Sequence, residues 1–265
     1  MSDIRRTSEL APMLLGVSPA PSHLWVRGNV PSRPGVAIVG TRRCTEYGRT
    51  IARHLGRAVA AAGWPVISGL ARGIDAAAHG GTLDGGGEGF AILGCGVDVI
   101  YPADNRGLAG RLLENAGGLI SEYPPGTPPA PFRFPARNRI IAGLSGAVVV
   151  VEAAVTGGAL ITARLALDQG KDVLAVPGDI DRATSEGCNL LIRDGAHPVL
   201  SSEDLIESLE RILGPSPRDA PPTPFPQVGG LLEELLEGSE RPVGAVLAEV
   251  VRAELAAHSR SRTRS

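Results

Sequence analysis

The sequence predicts an α/β fold, a doubly wound and mostly parallel sheet with helices on both faces. Short apolar runs alternate with longer segments of helical periodicity from Val36 onward, the pattern of repeated βαβ units. Runs such as VAIVG, FAILG and AVVVV carry no polar alternation, as expected of strands whose two faces are both covered by helices.

The elements follow in order. LWVRG, Leu24–Gly28, reads as an extra strand leading in, with Pro19, Pro21, Pro31 and Pro34 marking loops around it. VAIVG opens the core and is followed by the helical stretch EYGRTIARHLGRAVAAAG, then by WPVISG, ARGIDAAAHGGTL and FAILG. The alternation continues through RGLAGRLLENAG, GLISEYP, FPARNRIIAGLS, GAVVVVEA, ALITARLALDQG and KDVLAVPG, and it ends in NLLIRDGA, HPVLS and EDLIESLERIL. A sheet of about seven strands, beyond the LWVRG strand, is the expectation. The boundaries expected are a lead-in at 1–23, the α/β domain at 24–213, a Pro-rich linker at 214–230 and a short helical tail at 231–265. At roughly forty residues the tail is short of a self-sufficient core.

Composition excludes whole classes. With 43% hydrophobic and 20% charged residues in a chain of 265, wholesale disorder and a coiled coil are out. A net charge of −2 argues against coating a polyanion with the whole surface, so nucleic-acid binding must be local. Cys44, Cys95 and Cys188 form no C-x-x-C pair, against a disulfide framework or a zinc site. Neither an export signal nor a long apolar span is evident, so a cytoplasmic location is expected, without membrane insertion.

Ligands of open α/β sheets bind beyond the carboxyl ends of the strands. Gly40, Thr41, Arg42 and Arg43 follow the VAIV run and precede a helix, a phosphate-binding turn or an ordinary one. After WPVISG come Arg72, Asp75 and His79. Ser68, Asp75 and His79 lack the spacing and the elbow sequence of a hydrolytic triad. Arg72 on a phosphate, with Asp75 holding local backbone donors, uses the same residues better. The segment PFRFPARNRIIAGLS gathers Phe132, Phe134, Arg133, Arg137, Asn138 and Arg139 in a chain with only 3% aromatic residues. Guanidinium beside an aromatic face suits single strands, and an amide can read a base edge. Phe134 has two readings, stacking on a base and filling the core. Glu152 precedes the glycine-rich entry Thr156–Gly157–Gly158, where backbone N–H groups could cradle an anion, and is expected to be tied to helix-terminal donors or an arginine. Gly94-Cys95-Gly96 lacks the dinucleotide fingerprint spacing and there is no Walker A sequence, so no cofactor is expected.

These motifs, in this order, resemble the DprA/Smf family of DNA-processing proteins over roughly Leu24 to Leu205. The resemblance rests on LWVRGN, VAIVGTRRCTEYG, VISGLARGIDAAAH, AILGCGVDVIYPADN, LISEYPPGTPPAPFRFPARNRIIAGLS, VVVVEA, GALITARLALDQGKDVLAVPGDI and GCNLLIRDGA. It implies an extended Rossmann-like fold that binds single-stranded DNA, protects incoming strands during natural transformation and helps load the RecA recombinase, without turnover chemistry. The strand-binding pocket it implies falls on Arg72, Phe134, Arg137, Asn138 and Arg139, with Gly40, Thr41, Arg42 and Lys171 as weaker assignments. It further implies a homodimer, to which Leu205, Ile206, Leu209 and Ile212 offer apolar positions, and a tail that is a candidate winged-helix remnant. The alternative is a nucleoside-monophosphate phosphoribohydrolase of the LOG group. That group's P-G-G-x-G-T-x-x-E order places the glutamate after the glycines, whereas Glu152 precedes Gly157 and Gly158.

Overall fold

In the computed structural model, residues 4–218 are described. They form strands β1 (Ile4–Thr7), β2 (Leu24–Gly28), β3 (Gly35–Val39), β4 (Val66–Ser68), β5 (Gly89–Leu93), β6 (Gly118–Ser121), β7 (Ser145–Val150), β8 (Asp172–Ala175) and β9 (His197–Pro198). Helices are α1 (Glu46–Ala61), α2 (Ile74–Asp84), α3 (Arg106–Glu114), α4 (Arg133–Gly143), α5 (Gly158–Asp168), α6 (Ala183–Arg193) and α7 (Ser202–Leu213). The sheet runs β1-β2-β6-β5-β4-β3-β7-β8-β9. From β6 to β9 all pairs are parallel, and β2 and β1 add an antiparallel edge.

The seven parallel strands correspond to the apolar runs, and LWVRG is the antiparallel eighth. The ninth, β1, lies in the stretch read as a lead-in. It pairs Ile4 with Arg27 and Thr7 with Leu24, and the residues after it bury Leu10, Leu14 and Val17 in the core. Residues 4–17 of this segment thus contribute to the sheet and its packing. The tail at 231–265 and most of the linker lie outside the described residues.

Two-residue strand periodicity divides the core. In β3, Ala37 and Val39 join the layer under α4, α5 and α6 with Phe90, Ile92, Ile140 and Ala163, while Val36 and Ile38 join the layer under α1 and α7 with Leu55, Val59, Leu205 and Leu209. Such alternation turns one apolar run into two core faces. It also corrects one expectation: Leu205 and Leu209 are fully buried within this chain and give no surface to a second copy. Exposed large apolar side chains among the described residues include Ile161 and Leu167 on α5, and also Leu15, Phe132, Ile180 and Leu200.

The strand order reverses between β3 and β7. From β3 the chain crosses by α1 to β4, and from β7 it crosses by α5 to β8 on the other side. A crevice therefore opens beyond the carboxyl ends of β3 and β7, where open α/β sheets bind ligands. Among the described residues no helix is long and apolar enough to cross a membrane.

Candidate nucleic-acid interface

The crevice is built first by the turn after β3. A Cβ on Gly40 would stand 2.5 Å from Ile74 Cγ1 and 2.8 Å from the Glu152 carbonyl oxygen, so only glycine lets the chain pass. Thr41 N–H donates to the Glu152 carbonyl at 2.7 Å, and the Thr41 carbonyl accepts from Ile74 N–H at 3.3 Å. Gly73 has φ +79° and no room for a Cβ, which would lie 2.3 Å from the Thr41 oxygen. The turn carrying Arg42 and Arg43 is thus clamped between α2 and the end of β7.

Two helix amino ends face this region, and they differ. At α1, Thr45 caps the helix by accepting from Gly48 N–H at 3.0 Å. Glu152 then places its carboxylate there, accepting from Thr45 N–H at 2.9 Å and from Thr45 Oγ1 at 2.5 Å. Glu152 is therefore tied to helix-terminal donors, and its own negative charge fills the site that a phosphate would use at α1. At α5 the capping position is Gly157, and no side chain among the described residues caps it. Asn138 Nδ2 donates to the Gly158 carbonyl at 3.3 Å, which fixes this turn against α4. An anion can approach the amino end of α5 but not that of α1.

The cavity between them measures about 510 Å³ and is lined by Gly40, Thr41, Arg42, Tyr101, Phe134, Arg137, Asn138, Gly157 and Gly158 among others. Phe134 and Asn138 stand four residues apart on α4 and share a face. The Phe134 ring is half-buried. It lies 5.5 Å from the Tyr101 ring at an interplanar angle of 30°, and the Arg42 guanidinium carbon is 5.0 Å from its centre. Phe134 therefore belongs to the cavity wall and not to the core.

Arg137 has a different task. It is buried, donates from Nη1 to the carbonyls of Gly69 and Ile92 and from Nε to Asn138 Oδ1, and so ties the ends of β4 and β5 to α4. Burial lowers its guanidinium to about 10, opposed by the nearby Asp75 carboxylate, so it stays charged at neutral pH. Burial pushes the Asp75 carboxyl up. Arg137 and the N–H groups of Ala71 and Gly69, both donating to Asp75 Oδ2, oppose that push. His79 is fully buried, and neither ring nitrogen has a hydrogen-bond partner among the described residues; burial, aided by Arg137, lowers its pKa to about 3.

The remaining assignments separate. Arg72 is exposed and reaches Asp104 Oδ2 at 2.6 and 3.1 Å, at the rim of a smaller cavity that also borders Phe134 and Tyr101. Arg139 turns away from the cavity, because residues two apart on a helix point about 200° apart. Its Nη2 meets Glu122 Oε1 at 2.6 Å and its Nε donates to the Pro19 carbonyl at 2.8 Å. Lys171 precedes β8 and so stands at the amino end of the sheet, opposite the crevice. Neither Arg139 nor Lys171 faces the cavity, a correction to the expected set. Tyr101, which also lines the cavity, is the residue missed; its signal was an aromatic just past an apolar run in an aromatic-poor chain.

Comparison with known proteins places the chain among relatives of known family. The family model described as DNA recombination-mediator protein A matches residues 4–210. The chain is 43% identical over 216 residues to Protein Smf of Escherichia coli strain K12, covering 81% of this chain and 58% of that protein. It is 42% identical over 196 residues to the DNA processing protein DprA of Streptococcus pneumoniae, covering 72% of this chain and 68% of that one. It thus spans somewhat over half of the E. coli protein. The solved structure of the S. pneumoniae protein is similar with a TM-score of 0.71 at 38% identity, over 77% of this chain and 74% of that one. A structure of DprA from Helicobacter pylori, described for its single-stranded DNA binding mode, gives a TM-score of 0.71 at 26% identity, over 79% and 96%. With a family match across most of its length, relatives above 40% identity and a shared fold, the chain belongs to the DNA recombination-mediator protein A family, the DprA/Smf proteins.

Proposed function

We propose that this chain binds single-stranded DNA in the crevice between β3 and β7, protects incoming strands during transformation and helps load the RecA recombinase onto them. The observation that carries the binding is the Phe134–Tyr101 ring pair with Arg42 laid on it, beside the uncapped amino end of α5. An unpaired base can stack on the exposed side of this pair. Arg42 and the first N–H groups of α5 take the adjoining phosphate. Phe134, Asn138, Gly40 and Thr41 shape the pocket; Arg137 holds it together; Arg72 serves a phosphate at the rim. The chain works without cofactor or turnover, and as a homodimer two such pockets would share one strand. The occupation of the Glu152 carboxylate by Thr45 weighs against phosphoribohydrolase chemistry.

Binding is tested by anisotropy titration of labelled single-stranded and duplex oligonucleotides. Loading is tested by RecA filament formation on strands precoated with a single-strand binding protein, where added chain should shorten the lag. An unchanged lag despite strand binding would remove the loading role.

A further inference from the structure

A second cavity, about 610 Å³, adjoins the first through Arg42 and Arg43, which line both. It lies between α1 and α2. On α1, Glu46, Arg49, Thr50 and Arg53 share one face, at the spacing i, i+3, i+4 and i+7. Across the groove stand small residues of α2 and its entry, Gly73, Ala76 and Ala77. Arg42, Arg43, Arg49, Arg53 and Arg72 bring five guanidiniums to the lining, against the carboxylates of Glu46 and Asp104. A chain of net charge −2 thus concentrates cations along one channel leading out of the crevice.

We infer that this groove is a further binding site, which carries the phosphodiester backbone of the same strand away from the crevice along α1. The inference rests on the single-strand reading proposed above and extends it. Arg49 and Arg53 are one helical step of four residues apart, about 6 Å along the axis, the scale of successive phosphates on an extended strand. Exposed Arg57 continues that row. The small residues opposite leave the backbone room and offer no base-reading groups, so the groove holds charge and not sequence. The guanidiniums are already paired: Arg49 with Glu46 at 3.2 Å, Arg53 with Asp84 at 2.6 Å and Arg72 with Asp104 at 2.6 Å. Each arginine is more than half exposed. Solvent-exposed pairs contribute little in water, and a phosphate can replace the carboxylate at small cost.

The test compares the full chain with its Arg49→Gln/Arg53→Gln variant against oligothymidylates of four and twenty nucleotides, titrated at several salt concentrations. The crevice alone can hold the short strand; only the long one can reach along α1. The variant should bind the twenty-mer about tenfold more weakly at low salt, with a log–log salt slope smaller by about 1.4, since each single-strand phosphate contact contributes about 0.7. Its affinity for the four-mer and its melting temperature should match the unmodified chain. Equal twenty-mer affinity and slope in variant and unmodified chain would overturn the inference while leaving the crevice reading intact. An equal loss on both lengths would also overturn it, placing the arginines at the crevice or in the fold. Failure of the unmodified chain to bind either strand would remove the crevice reading and this inference with it.

Discussion

Truncating Phe134 to alanine separates binding from folding. The ring is half-buried and rests on Tyr101 at 5.5 Å, so its removal forfeits one aromatic pair, about 0.5–1.5 kcal/mol, and roughly half the transfer energy of a buried phenyl, about 1 kcal/mol. A stability loss of about 2 kcal/mol lowers the melting temperature of a domain this size by roughly 4–8 °C. Stacking of a base on an aromatic contributes about 1–3 kcal/mol, and Tyr101 remains to offer part of that surface. The expected affinity loss is therefore in the lower half, about 1–2 kcal/mol, or roughly 5- to 30-fold. Calorimetry and anisotropy on the same preparation measure both. Phe134→Trp should keep or tighten binding. A fall in melting temperature beyond roughly 10 °C, with affinity per folded molecule unchanged, would show a core ring and refute the stacking argument.

Other perturbations distinguish the arginines. Arg42→Ala should lower single-strand affinity and reduce the salt slope by about 0.7, whereas Arg139→Met, which leaves the part-buried Glu122 carboxylate without its guanidinium, should cost about 2–4 kcal/mol of stability and leave affinity per folded molecule alone; denaturant melts and titrations on both variants check this. Asp104→Asn frees Arg72 from its carboxylate and should raise low-salt affinity severalfold, an effect that shrinks as salt screens it; lower affinity would exclude Arg72 from phosphate binding. His79 is held near a pKa of 3 by burial, so between that value and the ordinary 6.5 the unfolded chain binds a proton that the folded chain does not. Its contribution to stability is therefore lost as pH falls through this window, at about 1.4 kcal/mol per pH unit. His79→Leu removes that slope, and its urea midpoint relative to the unmodified chain should rise steadily from pH 6 to pH 4; a constant difference would contradict the assignment.

The central parallel strands were legible because β3, β5 and β7 lie in apolar runs, and a doubly covered sheet is what accepts such runs in series; the short β9, His197–Pro198, is exposed and carries no such run. Strand β1 was not: of Ile4–Thr7 only Thr7 is buried, so an edge pairing leaves no hydrophobic pattern. Among the site residues, Gly40 and Arg42 were found from their place at a strand end, and Phe134 from its rarity. Nearness in sequence misled at Arg139, which adjoins Asn138 in the chain but is turned about 100° from it around α4, towards Glu122. Occupancy was also hidden. That Glu152 accepts from Thr45 depends on β7 pairing with β3, and that Arg72 is held by Asp104 depends on a loop 32 residues later in the chain. Tyr101 reaches Phe134 only because the turn after β5 and the start of α4 meet at the same sheet end.

The most direct test of strand binding by the crevice is a titration of the full chain against a twenty-nucleotide single strand and its blunt duplex over a series of salt concentrations. A ring pair that needs an unpaired base, served by a few exposed guanidiniums in a chain of net charge −2, predicts at least about tenfold preference for the single strand. It also predicts a moderate salt slope and little dependence on base sequence. Equal affinity for the blunt duplex would contradict it.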